Sequence, residues 1–466
     1  MSATAALTPA HLAAGAGFGL IGLAVCAGVA LWARPALVAL AFLIPFHRLA
    51  VAIVDHAGRW PADPVPDDAL RAFLARSYYL DLSILAGLVG GALIVQTRRR
   101  SFPRPRWLVV VVAADAVAVG LLSVALGVHV PRAAAFSVML TVAGPLSLLA
   151  ALCIRPSART TTAMRWAFVL AAAVLGGVAL VEQRIGTRLP LWLGGAAPHA
   201  DSAFYSGPDS TGYRSGSLLR TPLELAFFMA AALPLALTTL IASRRARPLA
   251  TIAAGLVIAG LAVTYTRSSY LGAAVGLAVI AVAVVPPRRL RALAPAAVVA
   301  AIAATVLVAA GAGGAQLGHG DTGAHLDALG GDVDLVRQKP LGHGFGIIDT
   351  IGQQFDPAAL PHHRSSEDLW MAKAVEGGVE GFALYASAVG AAAAALVVAA
   401  RAGRRRGDRG LVLAPAGPLG ALIAVAVAGI FLGIEDVSYL VPVWALAGAA
   451  ASQRPAIDSA GLHAGA

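Results

Sequence analysis

Residues 98–127 read RRRSFPRPRWLVVVVAADAVAVGLLSVALG. Arg98, Arg99, Arg100, Arg104 and Arg106 crowd the front of this stretch, and an apolar run from Trp107 to Gly127 follows, broken only by Asp115 and Ser123. A helix that crosses a bilayer needs ~20 mostly apolar residues. Arginines packed against one end of such a run mark the side of the membrane on which that end stays. This single stretch therefore predicts both a spanning helix and its direction.

The rest of the chain has the same character. It holds 466 residues, of which 58% are hydrophobic and only 13% charged, and its mean hydropathy is +0.77. A soluble domain is about a quarter charged, so these apolar residues cannot all be buried in a water-soluble core. The same content excludes disorder, and the 50 glycines show no triplet period. The only cysteines, Cys26 and Cys153, both lie in apolar runs, so no disulfide framework is available. What remains is an all-α polytopic membrane protein.

Apolar runs of suitable length lie near 10–32, 36–54, 77–96, 107–127, 133–153, 165–182, 221–242, 249–265, 270–286, 293–311, 372–400, 411–433 and 437–452. They predict about 12–13 transmembrane helices. Isolated strands cannot span, and no segment shows the alternation of a membrane barrel. The opening residues lack a positive n-region and a cleavage site, so they read as a span rather than a signal peptide. The expected organisation is a helix bundle over 1–311, an extracytoplasmic loop with an amphipathic helix over 312–370, and further transmembrane helices over 371–466.

The net charge of +11 would suit a polyanionic partner. Its distribution points elsewhere. Besides the cluster before Trp107, arginines gather at 155–165, 244–247, 288–291 and 401–409, always two predicted spans apart. All five clusters therefore share one face, which the positive-inside rule makes cytoplasmic. Topology explains most of the charge, and no nucleic-acid partner is expected. The three long connections, 55–76, 183–220 and 312–370, fall on the opposite face.

Three motifs lie on that opposite face. The first is Tyr213-Arg214-Ser215-Gly216-Ser217, followed by Thr221-Pro222-Leu223-Glu224, with Pro222 suited to a first helical turn. The second is Thr264-Tyr265-Thr266-Arg267-Ser268, a short turn between apolar spans. A charge so close to hydrocarbon is costly and often functional, and the guanidinium fork matches phosphate oxygens. The third begins at His325 with apolar residues at helical spacing, as in an amphipathic surface helix. It continues through Pro340-Leu341-Gly342-His343-Gly344-Phe345-Gly346 to His362-His363-Arg364-Ser365-Ser366-Glu367-Asp368-Leu369-Trp370 and Glu376-Gly377-Gly378-Val379-Glu380-Gly381. The histidines and carboxylates of this loop are candidate general bases. His362 and His363 are adjacent rather than at i,i+4, so no metal site is expected, and the glycine spacing fits no nucleotide-binding fingerprint.

The order of Arg214-Ser215-Gly216 before Pro222, Thr266-Arg267-Ser268, the Pro340–Gly346 segment, and Ser366-Glu367 with Trp370 leading to Glu376 and Gly378 resembles the O-antigen ligase and Wzy-type polymerase superfamily of bacterial membrane glycosyltransferases. The resemblance is close over roughly 210–385 and loose across the remaining helices. It implies a GT-C-like membrane fold in the bacterial cytoplasmic membrane, with its active site facing outward. The donor would be a glycan on undecaprenyl pyrophosphate, the acceptor a glycan or lipid, and no cofactor would be required. Arg214 and Arg267 take the positions that hold the pyrophosphate, with Tyr213, Ser268, His343, Asp368 and Glu376 in support. The family's base is usually a His nine residues before the Glu of Glu-x-Gly, where this chain has Glu367. Glu367, His363 and His362 therefore all stand as candidate bases. A secondary transporter of a small solute is the competing reading, since Arg48, His47, Asp81 and Asp115 lie in or beside apolar runs. Those four residues are expected to pair within the bundle. A non-catalytic scaffold for envelope-polysaccharide assembly is a further alternative.

Overall fold

Apolar runs bounded by arginine, proline and glycine become helices because in hydrocarbon a helix satisfies its own backbone hydrogen bonds. A computed structural model of the chain describes residues 9–55, 67–99, 101–126, 131–185, 214–219, 221–284, 321–347, 368–430 and 436–453. Among these residues there is no strand. The helices are α1 (Pro9–Leu31), α2 (Ala33–Leu43), α3 (His47–Asp55), α4 (Asp67–Arg99), α5 (Arg106–Ala125), α6 (Pro131–Ile154) and α7 (Ala158–Ile185). They continue as α8 (Pro222–Ala242), α9 (Arg247–Ala262), α10 (Arg267–Val284), α11 (Asp321–Gln338), α12 (Leu369–Arg405), α13 (Arg409–Ala428) and α14 (Val437–Ser452). Nine described stretches are long and apolar enough to cross a membrane, and Gly19–Leu31, α9 and α14 are shorter apolar helices. This is the architecture of a polytopic membrane protein. The predicted span at 293–311 lies outside the described residues.

Three elements differ from the sequence expectation. The run at 36–54 is not one helix: a 3-10 turn, Ile44–Phe46, interrupts it at Pro45, which has no N–H to donate. Helix α4 starts at Asp67, well inside the connection expected at 55–76. Helix α12 is broken at Gly378, whose φ of 69° and ψ of −168° are open essentially to glycine alone.

Small residues let the helices approach closely, as membrane packing requires when lipid is as apolar as the side chains. Gly272 and Gly276 of α10 face Gly420, Ala424 and Ala428 of α13 so tightly that an added Cβ would collide with backbone. Gly448 of α14 meets Leu148 of α6 in the same way, and Trp444 lies over Gly144. Antiparallel alternation gathers the described arginine clusters at one end of the bundle, and some of them also tie helices together. Arg155 donates to the Ser101 and Phe102 carbonyls at 2.9 and 2.7 Å. Arg404 donates from Nε to the Ala283 carbonyl at 2.7 Å, at the C-terminus of α10.

The break in α12 leaves backbone groups that a continuous helix would satisfy. The glycine-rich segment after α11 takes them up. The His343 and Gly344 N–H groups donate to the Val375 and Glu376 carbonyls at 2.8 and 3.0 Å, and the Val379 N–H donates to the Pro340 carbonyl at 2.9 Å. Gly342, Gly344 and Gly346 all have positive φ (102°, 105° and 81°), which allows the segment to follow the break. Leu335, Val336 and Ile347 pack on Ala372 and Val375, so α11 is an amphipathic helix held against α12.

Gly378→Ala should therefore be far more damaging than Gly407→Ala. Both residues have positive φ, but a Cβ at 378 would meet the Pro340 and Leu341 backbone, whereas one at 407 has open space around it. We expect a loss of about 3 kcal/mol or more for the first and about 1 kcal/mol for the second, measured by thermal unfolding in detergent.

Candidate functional site

At the end of the bundle away from the described arginine clusters, the segment 214–219 is stitched between two neighbours. The Ser215 N–H donates to the Val263 carbonyl at 3.1 Å. Its hydroxyl donates to the Ala179 carbonyl at 2.9 Å and accepts from Gln183 Nε2 at 2.7 Å. Ser217 is held at a φ of 56°, its N–H donating to the Glu182 carboxylate and its hydroxyl to the Leu175 carbonyl at 2.7 Å. Tyr265, in the turn between α9 and α10, also has a positive φ (49°). Two non-glycine residues in this region of φ/ψ space imply that the surroundings over-determine the backbone, as is common where a ligand is clamped.

Arg214 extends onto that turn. Its Nε donates to the Thr264 carbonyl at 3.0 Å and its Nη2 to Thr266 Oγ1 at 3.1 Å. Arg267 is the next residue. It is the first residue of α10, it is exposed, and no hydrogen bond or ion pair engages its guanidinium among the described residues. The two motif arginines, 53 positions apart in sequence (267 minus 214), thus meet at one turn. An arginine is electrostatically misplaced at a helix N-terminus, where the exposed N–H groups already carry partial positive charge. No acid stands in the first turn of α10 to offset it. Ser268 is half-buried beside it, and the buried Ser269 hydroxyl has no partner among the described residues. The exposed Arg267 at this helix N-terminus, with no acid in the first turn, makes the turn suited to an anion from outside the protein.

The seam between α10 and α13 brings the third motif to the same end. The Leu369 N–H donates to the Gly429 carbonyl at 2.8 Å, joining the start of α12 to the end of α13. Asp368 caps α12, accepting from the Trp370 and Met371 N–H groups at 2.8 and 3.2 Å. Its carboxylate is engaged in holding the helix end. Glu376 is buried and accepts from Ser137 Oγ and the Gly346 N–H, both at 2.7 Å. It ties α6, α12 and the glycine segment together. His343 binds through its backbone, and its Nε2 lies 3.0 Å from the Leu335 carbonyl. Glu367, His362, His363 and Tyr213 lie outside the described residues.

Among the described residues, several charges inside or beside apolar runs lie against one another or against hydroxyls. Arg48 donates to Glu224 Oε2 at 2.7 Å and to Asp436 Oδ2, all three side chains being buried. His47 Nε2 lies 3.2 Å from Asp81 Oδ1. Asp115 accepts from the Ser387 hydroxyl. Lys373, also buried, donates to Thr141 Oγ1 at 2.7 Å. The signal for Glu224, Asp436 and Lys373 was available in principle, since a charge inside or beside an apolar helix demands a partner. Which partner each takes depends on helix packing.

Arg48→Ala would leave two buried carboxylates without their cation. We expect a loss of about 3–5 kcal/mol, visible as a lower melting temperature in detergent, with Arg48→Lys recovering only part of it because one ammonium cannot reproduce the fork.

In comparisons with known proteins, the chain matches no protein-family model and no curated relative.

Proposed function

We propose that this chain is a membrane glycosyltransferase of the GT-C-like class, which moves a glycan from undecaprenyl pyrophosphate to an acceptor glycan or lipid. The arginine-rich end is the cytoplasmic face of a bacterial inner membrane, and the reaction takes place at the opposite, outward face. The observation that carries the reading is the meeting of Arg214 and Arg267 on the turn 263–266. Two arginines from separate segments, one of them unpaired among the described residues at a helix N-terminus, suit a pyrophosphate at the end of a lipid. The order of the sequence motifs supports the same assignment.

The chemistry asks little more of the protein. An acceptor hydroxyl oxygen attacks the anomeric carbon, and the bond from that carbon to the phosphate oxygen breaks. The bonding electrons leave with the pyrophosphate, whose developing charge the two arginines stabilise. The hydroxyl proton passes to a base. Glu367, His363 and His362 are the candidates, and they precede α12, whose capped N-terminus stands at the same end of the bundle. Direct displacement of this kind inverts the anomeric centre. Asp368 and Glu376 support the site by holding the start of α12 and its break.

Deletion of the gene followed by sizing of the surface glycan tests the reading. Loss of chain length indicates a polymerase, and chains of normal length accumulating on the lipid carrier indicate a ligase. Arg267→Ala should reduce transfer by ~100- to 1,000-fold, Arg267→Lys should retain part of it, and Glu367→Gln compared with His363→Ala identifies the base. Normal glycan in the Arg214→Ala, Arg267→Ala double variant would instead point to a scaffold. Solute uptake abolished by Arg267→Ala with glycan unchanged would make the chain a transporter.

A further inference from the structure

The helix break at Pro45 is followed by two buried side chains, His47 and Arg48, and one of them has an unusual hydrogen-bonding problem. His47 Nδ1 lies 2.6 Å from the Ile44 carbonyl oxygen. A carbonyl has no proton to give, so Nδ1 must be the donor. The other ring nitrogen, Nε2, stands 3.2 Å from Asp81 Oδ1. In a neutral ring with its proton on Nδ1, Nε2 is an acceptor, and an ionised carboxylate is acceptor-only. Two acceptors would then face each other, with His47 5% and Asp81 2% exposed. Neither Asp81 oxygen, nor Nε2, makes any hydrogen bond of good geometry among the described residues. Buried polar groups left in that state are expensive.

One proton resolves the conflict. Placed on Nε2, it makes the ring an imidazolium and turns the 3.2 Å contact between two acceptors into an ion pair. Arg48 from α3 and Asp436, the N-cap of α14, face the pair, and Glu224 from α8 and Tyr78 from α4 face Arg48. Arg48 already faces two carboxylates, Glu224 and Asp436. A bare Asp81 beside them would add a third negative charge with no cation of its own.

We propose that His47 and Asp81 form a buried proton-binding site, occupied at neutral pH as an imidazolium–carboxylate pair. The bound proton joins α4 to the break between α2 and α3, next to the Arg48 clamp on the first turn of α8 and the N-cap of α14. This inference is independent of glycan transfer and holds whatever the outward arginines bind.

The experiment is nitrogen NMR of the intact protein in lipid nanodiscs, with 15N-histidine and 13C-carbonyl isoleucine labels. The Nδ1–H contact with the Ile44 carbonyl identifies the His47 ring among the 11 histidines. An unperturbed imidazole, with a pKa of about 6.5, is about nine-tenths neutral at pH 7.5. The expected result at pH 7.5 is a His47 ring protonated on both nitrogens. In Asp81→Asn the amide can donate to Nε2, so the ring should become neutral with its proton on Nδ1. A bare Nε2 in the wild-type protein at pH 7.5 would overturn the proposal, as would an imidazolium that persists in Asp81→Asn. If that variant does not fold, the wild-type spectrum decides alone.

Discussion

A helix broken beside hydrocarbon must find partners for the N–H and C=O groups that the break releases, because no water is there to take them. In this protein the break falls at Gly378 of α12, and the partners come from the backbone at 340–344. Much of the neighbouring architecture follows. The glycine segment cannot lie elsewhere without orphaning Val375, Glu376 and Val379. Its approach seats α11 against α12 through Leu335 and Val336. It also brings the Gly346 N–H to the Glu376 carboxylate, which reaches across to Ser137 on α6. The glycine-rich stretch is thus a splice for an interrupted helix.

The two arginine motifs depend on a different constraint, the close approach of backbones. Gly272 and Gly276 allow α10 to lie on α13. The N-terminus of α10, with Arg267, is thereby held near the C-terminus of α13, where Gly429 binds the start of α12. Arg214 arrives from another segment and is oriented by two groups of the α9–α10 turn. One arginine is therefore locked by internal hydrogen bonds while the other stands exposed. Between these regions and the break at Pro45, the ionic contacts of Arg48 connect α3, α8 and α14, so the start of α8 is held from both sides.

Several features were legible in the chain before any folding. Run length and polarity located every described spanning helix, because a bilayer imposes a length and a backbone rule that do not depend on neighbours. The amphipathic helix around His325–Val336 was visible in its spacing, and Pro222 at the first turn of α8 was visible in its chemistry. Some local breaks were not read from the same residues. Pro45 falls inside the apolar run at 36–54 and Gly378 inside the run at 372–400, and neither residue alone reveals whether a partner backbone is nearby. The roles of Asp368 and Glu376 were similarly hidden. A carboxylate in a motif reads as chemistry until its hydrogen bonds show it capping one helix or tying two together.

By itself the sequence determined that the chain is a bundle of membrane-crossing helices, which end of each helix shares a face with which others, and which arginines stand apart from the topological clusters. These properties are set by composition along the chain and by alternation, both of which are one-dimensional. Only the tertiary structure decided that Arg214 reaches the turn carrying Arg267, that Arg48 takes Glu224 and Asp436, and that His47 faces Asp81 across a buried contact. Those pairings join residues from 34 (81 minus 47) to 388 (436 minus 48) positions apart. They depend on which small residues let which helices approach, and that is a property of three-dimensional packing rather than of any local pattern.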